Sequence, residues 1–101
     1  MNVDKTAKAL KELGHPVRLK IFRLLVKSGK QGLPVGSLQQ ALNIPNSTLS
    51  HHIAKLSSVS LVVQKRAGRT LFCLPQYTVL DQIITFLKDE CCANESEKHD
   101  V

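Results

Sequence analysis

The chain has 101 residues and 11.2 kDa, with 43% hydrophobic residues, 22% charged residues and no tryptophan, which is the size and composition of one small domain with no room for a second. Fourteen lysines and arginines against eight acids give +6, yet Leu13 to Leu80 holds nine cations and no acid, whereas Asp89 to Val101 holds five acids and one lysine. A basic middle points to a polyanion such as nucleic acid and gives no support to an enzyme pocket for acidic substrates.

Val3, Ala7, Leu10 and Leu13 recur at helical spacing and predict a first helix from about Asp4 to Leu13, stopped at Gly14. Pro16 suits a first helical turn, and Val17, Ile21, Phe22, Leu24 and Leu25 carry a second helix to Ser28-Gly29. Gly32, Pro34 and Gly36 read as a linker. Leu38, Ala41 and Leu42 give a short third helix, ended by Asn43, a residue that tolerates the left-handed backbone. A fourth helix from about Asn46 to Ser57 buries Leu49, Ile53 and Leu56, and Asn46-Ser47-Thr48 reads as its helix-start chemistry. Its opposite face carries Ser47, Thr48, Ser50, His51 and Lys55, none acidic, a surface suited to a DNA groove. His51 and His52 stand about 100° apart on a helix, which places His51 outward and His52 towards the wing or core.

Leu61 to Arg66 and Arg69 to Leu74 predict two β-strands joined by a tight turn at Ala67-Gly68, flanked by Lys65, Arg66 and Arg69. On the second strand Phe72 and Leu74 are expected to point inward, with Cys73 out of phase. Leu80, Ile83, Ile84, Leu87 and Cys91, widened by Val79 and Phe86, predict a last helix from about Tyr77 to Cys92. Residues 93–101 then read as a disordered acidic tail following a domain of residues 1–92.

This order is mainly α with a small β-hairpin: two short helices around a turn, the second with a polar outer face, then a basic hairpin. It is the layout of a winged helix-turn-helix. Short donors and acceptors on the recognition helix reach base edges, and Lys65, Arg66 and Arg69 on the wing neutralise phosphates. A domain this short buries only about 60 to 65% of its unfolded surface, so a dimer is expected. No run of 18 apolar residues occurs, and Met1-Asn2-Val3-Asp4-Lys5 lacks the apolar core of a secretory signal, which makes the expected location cytoplasmic. The three cysteines are accordingly expected to be thiols.

The segment from Leu38 to Leu56, followed by Leu61-Val62 and the Arg66-Ala67-Gly68-Arg69 wing, resembles the ArsR/SmtB family of metalloregulatory repressors. Gly14-His15-Pro16-Val17-Arg18-Leu19 resembles that family's Leu-Ser-His-Pro-Arg-Arg-Leu opening. The likeness spans roughly residues 5–92. It implies a homodimer paired through the first and last helices, bound to a partly palindromic operator until an inducer arrives. The chain departs from the family at Ser60, where glycine is usual.

The family's third-helix Cys-Val-Cys arsenic site has no counterpart in Gly32-Leu33-Pro34-Val35-Gly36-Ser37. Zinc is disfavoured, because Asp81 has no histidine after it until His99. Cys91-Cys92 resembles the ending of an arsenic-responsive group of these repressors, which implies capture of a trivalent arsenical as inducer. Arsenite and methylarsenite are both candidates, and so is antimonite, since thiolates favour soft centres. Two thiolates satisfy an organic arsenical. Arsenite prefers three, and the third is left open between Cys73, the partner chain and a free thiol. The alternatives are a thiol redox or persulfide sensor of the same fold and a winged helix that binds protein instead of DNA. An enzyme is not expected, because vicinal cysteines lack the spacer of redox dithiols and no phosphate-binding glycine loop occurs.

Overall fold

Asn2 opens the first helix, its side-chain oxygen accepting the Lys5 amide at 2.8 Å, and α1 runs Val3–Leu13. The computed structural model describes residues 1–95. Gly14 keeps φ at −73°, so α1 does not end through a left-handed glycine. It ends because His15, ahead of Pro16, must be extended, at φ −89° and ψ 132°. His15 then caps α2 (Pro16–Ser28), its Nδ1 accepting the Val17 amide at 3.1 Å.

The expected linker contains a strand, β1 (Leu33–Pro34), and Gly36 lies inside α3 (Val35–Leu42). Two residues, one of them proline, carry no alternating pattern, so only the tertiary pairing reveals this strand. Asn43 closes α3 at φ 52°, the left-handed role expected of it. The next helix, α4, spans Asn46–Ser58; Pro45 holds its cap position with no side-chain acceptor, so Asn46-Ser47-Thr48 begins the helix without capping it. Ser60 beyond it has φ 63°, the backbone that explains the usual glycine.

The wing is β2 (Val62–Ala67) and β3 (Thr70–Pro75). Ala67 pairs with Thr70, so the turn is Gly68-Arg69, one residue later than the pattern indicates. Gly68 at φ 62° takes the first turn position, where a II′ hairpin calls for glycine. The sheet order β1-β3-β2 makes β3 central. That reverses the expected phase: Cys73, between Leu33 and Gln64, is fully buried, while Phe72 and Leu74 are half-buried.

Ile21, Leu25, Leu38, Leu49, Ile53 and Leu56 form a dry core between α2, α3 and α4, closed by Val62 and Cys73 from the sheet. Each such aliphatic side chain contributes about 1.5 to 3 kcal/mol of burial free energy. The last helix, α5 (Tyr77–Lys88), stops four residues short of the expected Cys92. Leu87 is already 60% exposed, so nothing remains for a further turn to pack on. Turns follow instead, with Glu90 at φ 57° and Cys92 at φ 64°, and the Glu95 amide donates to the Cys92 carbonyl at 2.9 Å. The expected disordered tail therefore begins as hydrogen-bonded turns through Glu95, and its remainder, 96–101, lies outside the described residues.

Candidate nucleic-acid interface and thiol site

The two faces of α4 divide as their chemistry requires. Leu49, His52, Ile53 and Leu56 are buried, and Ser47, Thr48, Ser50, His51 and Lys55 are all exposed. Because Pro45 supplies no capping side chain, the first turn of α4 has no side-chain cap, and its amides carry the positive end of the helix dipole. Lys65 and Arg66 on β2 and Arg69 in the turn are exposed at the wing. Among the described residues the only ion pair joins Arg18 to Glu12, and no acid there pairs with the cations of α4 and the wing.

His52 faces α2 in the core and not the wing. Arg18 Nε donates to its Nδ1 at 3.2 Å, and its ring lies 4.6 Å from that of His15 and 5.8 Å from that of His51. Burial, followed by the charges of His15, Arg18 and His51, holds His52 below the ordinary histidine pKa. Arg18 also donates through Nη1 to the Glu12 carboxylate at 2.8 Å and to the Glu12 carbonyl at 3.2 Å. Helical periodicity places Arg18 and His52 on their own helices and carries no information about a contact 34 residues apart.

The three cysteines fall into two environments. Cys91 and Cys92 are exposed free thiols with their Sγ atoms 3.4 Å apart, well beyond the roughly 2.05 Å of a disulfide. Hydrogen bonding to Cys91, and then to Glu95, pushes the Cys92 thiol up from its ordinary value. These sulfurs sit on the turns after α5 and not on its apolar stripe, which ends before Cys91. Cys73 is 0% exposed within the sheet, and burial pushes its thiol up to about 12, so it is neither accessible nor ionised as a third ligand must be.

A three-helix core with α4 presented outward and a two-stranded basic hairpin beside it is a winged helix-turn-helix. Residues 13–65 match the family model described as a helix-turn-helix domain. The HTH-type transcriptional regulator NmtR of Mycobacterium tuberculosis is 33% identical over 95 residues, covering 94% of this chain and 73% of that protein. The transcriptional repressor PagR of Bacillus anthracis is 39% identical over 72 residues, covering 71% and 70%. The homodimeric winged helix-turn-helix DNA-binding domain of Mb0332 from Mycobacterium bovis, described as a possible ArsR-family transcriptional regulator, superposes with a TM-score of 0.69 at 23% identity. That structure covers 94% of this chain and 88% of its own, and at such identity the likeness speaks for the fold. The chain belongs to the helix-turn-helix family of transcriptional regulators, and it shares the winged-helix fold of that homodimeric domain.

Proposed function

We propose that this regulator is a repressor that binds operator DNA as a homodimer and leaves it when Cys91 and Cys92 capture a trivalent arsenical. The DNA part is supported by the cations around α4 and the wing, which pair with no acid among the described residues, and by the repressors it resembles. Lys65, Arg66 and Arg69 contact phosphates, Ser50 and His51 meet base edges, and Ser47 and Thr48 present hydroxyls and first-turn amides to the backbone, with Lys55 flanking them. Dimerisation is supported by apolar side chains on the two outer helices with no cover in the single chain: Val3 is 69% exposed and Leu87 60%. The homodimeric state of Mb0332 is in keeping with that.

One observation carries the inducer: two accessible thiols held 3.4 Å apart, close enough for both sulfurs to bond one thiophilic atom. The chain supplies two thiolates there and keeps its third in the core, which favours an organic arsenical such as methylarsenite over arsenite. Capture closes a ring across the turns at the end of α5. It thereby acts on an outer helix of the dimer and shifts the two recognition helices relative to each other, a coupling free energy between two sites. The same proximity also suits a redox sensor in which the two sulfurs oxidise together, the second reading.

The test is a titration of arsenite, methylarsenite, antimonite, zinc and a mild oxidant against the protein bound to its own promoter duplex, with release read by fluorescence anisotropy. Methylarsenite is expected to act at the lowest concentration. If Cys91→Ser and Cys92→Ser proteins leave the duplex at the same arsenical concentration as the wild type, the assignment fails. Release by oxidant alone selects the redox reading. Binding without salt dependence would select a protein partner instead of DNA.

A further inference from the structure

Arg18 occupies an unusual position. One guanidinium ties the end of α1, through both the carboxylate and the carbonyl of Glu12, to the buried ring of His52 on α4. His52 is the single ring on the buried face of that helix, 7% exposed, and its Nδ1 is an acceptor because Arg18 can only donate. His15, whose Nδ1 is likewise an acceptor for the Val17 amide, stacks against it at 4.6 Å. With Nδ1 accepting from Arg18, the His52 imidazole is the neutral form with its proton on Nε2.

We propose that Arg18 and His52 are positioning residues for the recognition helix, forming a latch that holds α4 on the α1–α2 frame while His52 is neutral and releases it when His52 gains a proton. A proton on Nδ1 turns the acceptor into a donor facing a permanent cation 3.2 Å away, so the bond cannot persist. The groups around His52 supply no counterweight. α2 presents Arg18 and His15, and α4 itself presents His51. Glu12 of α1 is already engaged with Arg18, while Lys5 and Lys8 line a groove with Ser58 and Ser60, and Lys11 is exposed. β2 brings only Lys65 and Arg66, both exposed towards the wing tip. The loss is directional: Ser47, Ser50 and His51 keep their chemistry but no longer have a fixed register against a groove. Acid thus lowers DNA affinity, up to about tenfold per pH unit for each proton that DNA binding must expel.

The inference rests on α4 being the DNA-reading helix, and its test separates the two. Binding to the promoter duplex is measured from pH 7.5 to 5.5 at fixed ionic strength for the wild type and for His52→Gln, whose amide oxygen can still accept from Arg18 but does not titrate in this range. Both proteins keep His15 and His51, so the difference isolates His52. The wild type is expected to lose affinity towards pH 5.5 more steeply than His52→Gln, by about tenfold or more across the range. Equal slopes overturn the latch while leaving the DNA-reading assignment intact. Absence of binding at pH 7.5 removes that assignment, and the latch is then judged on the free wild-type protein by nitrogen NMR. His52 should hold its proton on Nε2 at pH 7.5 and lose its bond to the Arg18 Nε–H as it protonates. A ring that protonates with the Arg18 resonance unmoved refutes the latch, and this readout needs no variant to fold.

Discussion

Gly32 is the position at which one methyl group should cost this fold most. The residue is buried and has φ 66°, the left-handed region that a Cβ disfavours by about 1 to 2 kcal/mol. A Cβ there would also overlap the Cys73 carbonyl oxygen and come within 2.8 Å of its carbon and 2.9 Å of Leu74 Cα. All of these are backbone atoms of the central strand, with no flexible side chain to yield. Gly32→Ala therefore has to push β1 away from β3, breaking the pairing of Leu33 with Cys73 and Pro34 with Phe72. Backbone strain plus about 1 to 3 kcal/mol for polar groups left unpaired gives a loss of about 2 to 5 kcal/mol. At about 4 to 8 °C per kcal/mol for a domain of this size, the melting temperature should fall by at least about 8 °C. Gly36→Ala is the internal control: it lies within α3 with nothing in contact range, and alanine there should stabilise by about 0.5 to 1 kcal/mol. Thermal melts followed by circular dichroism, backed by urea titration, read both. A Gly32→Ala melting point within about 4 °C of the wild type would refute the close approach of β1 to β3 on which the estimate depends.

Ser60→Gly should stabilise by about 0.5 to 1 kcal/mol, because serine is held there at φ 63°; a urea midpoint that does not rise would remove the argument from left-handed strain. An alkylating reagent at pH 8 should modify Cys91 and Cys92 in the native protein and Cys73 only after denaturation, counted by intact-mass measurement; rapid native labelling of Cys73 would contradict its burial. Cys73→Ser should lower stability by about 1 to 3 kcal/mol, by placing a hydroxyl in the dry core, while leaving the arsenical response unchanged. Because the folded pKa of His52 lies below its unfolded value, its contribution to stability is present above the ordinary histidine pKa near 6.5 and is lost as pH falls through the lowered folded value. Wild-type melting points should therefore drop more than those of His52→Gln between pH 7 and pH 5, and parallel curves would show that His52 does not titrate with folding.

Much of this molecule is written locally. The stripes of Val17, Ile21 and Leu25 and of Leu49, Ile53 and Leu56 fix two helices because a 3.6-residue period is a property of consecutive residues, and Asn43 ends α3 for an equally local reason. The acid-free run from Leu13 to Leu80 and the vicinal thiols are also matters of sequence alone. Other features depend on what the folded chain brings alongside. β1 exists because Leu33 and Pro34 find β3 to pair with, and Cys73 is in the core because strands flank it on both sides, a fact its own alternation cannot express. α5 stops at Lys88 where packing runs out, although the apolar period continues to Cys91. His52 is turned inward by its helical position alone, but that it meets Arg18 across 34 residues is decided only by the packing of α2 against α4. The sequence by itself determined the five helices, the two wing strands and the charge. The tertiary structure decided which thiol is buried, which pair is exposed and what α4 packs on, because burial and side-chain pairing are set by neighbours distant in the chain.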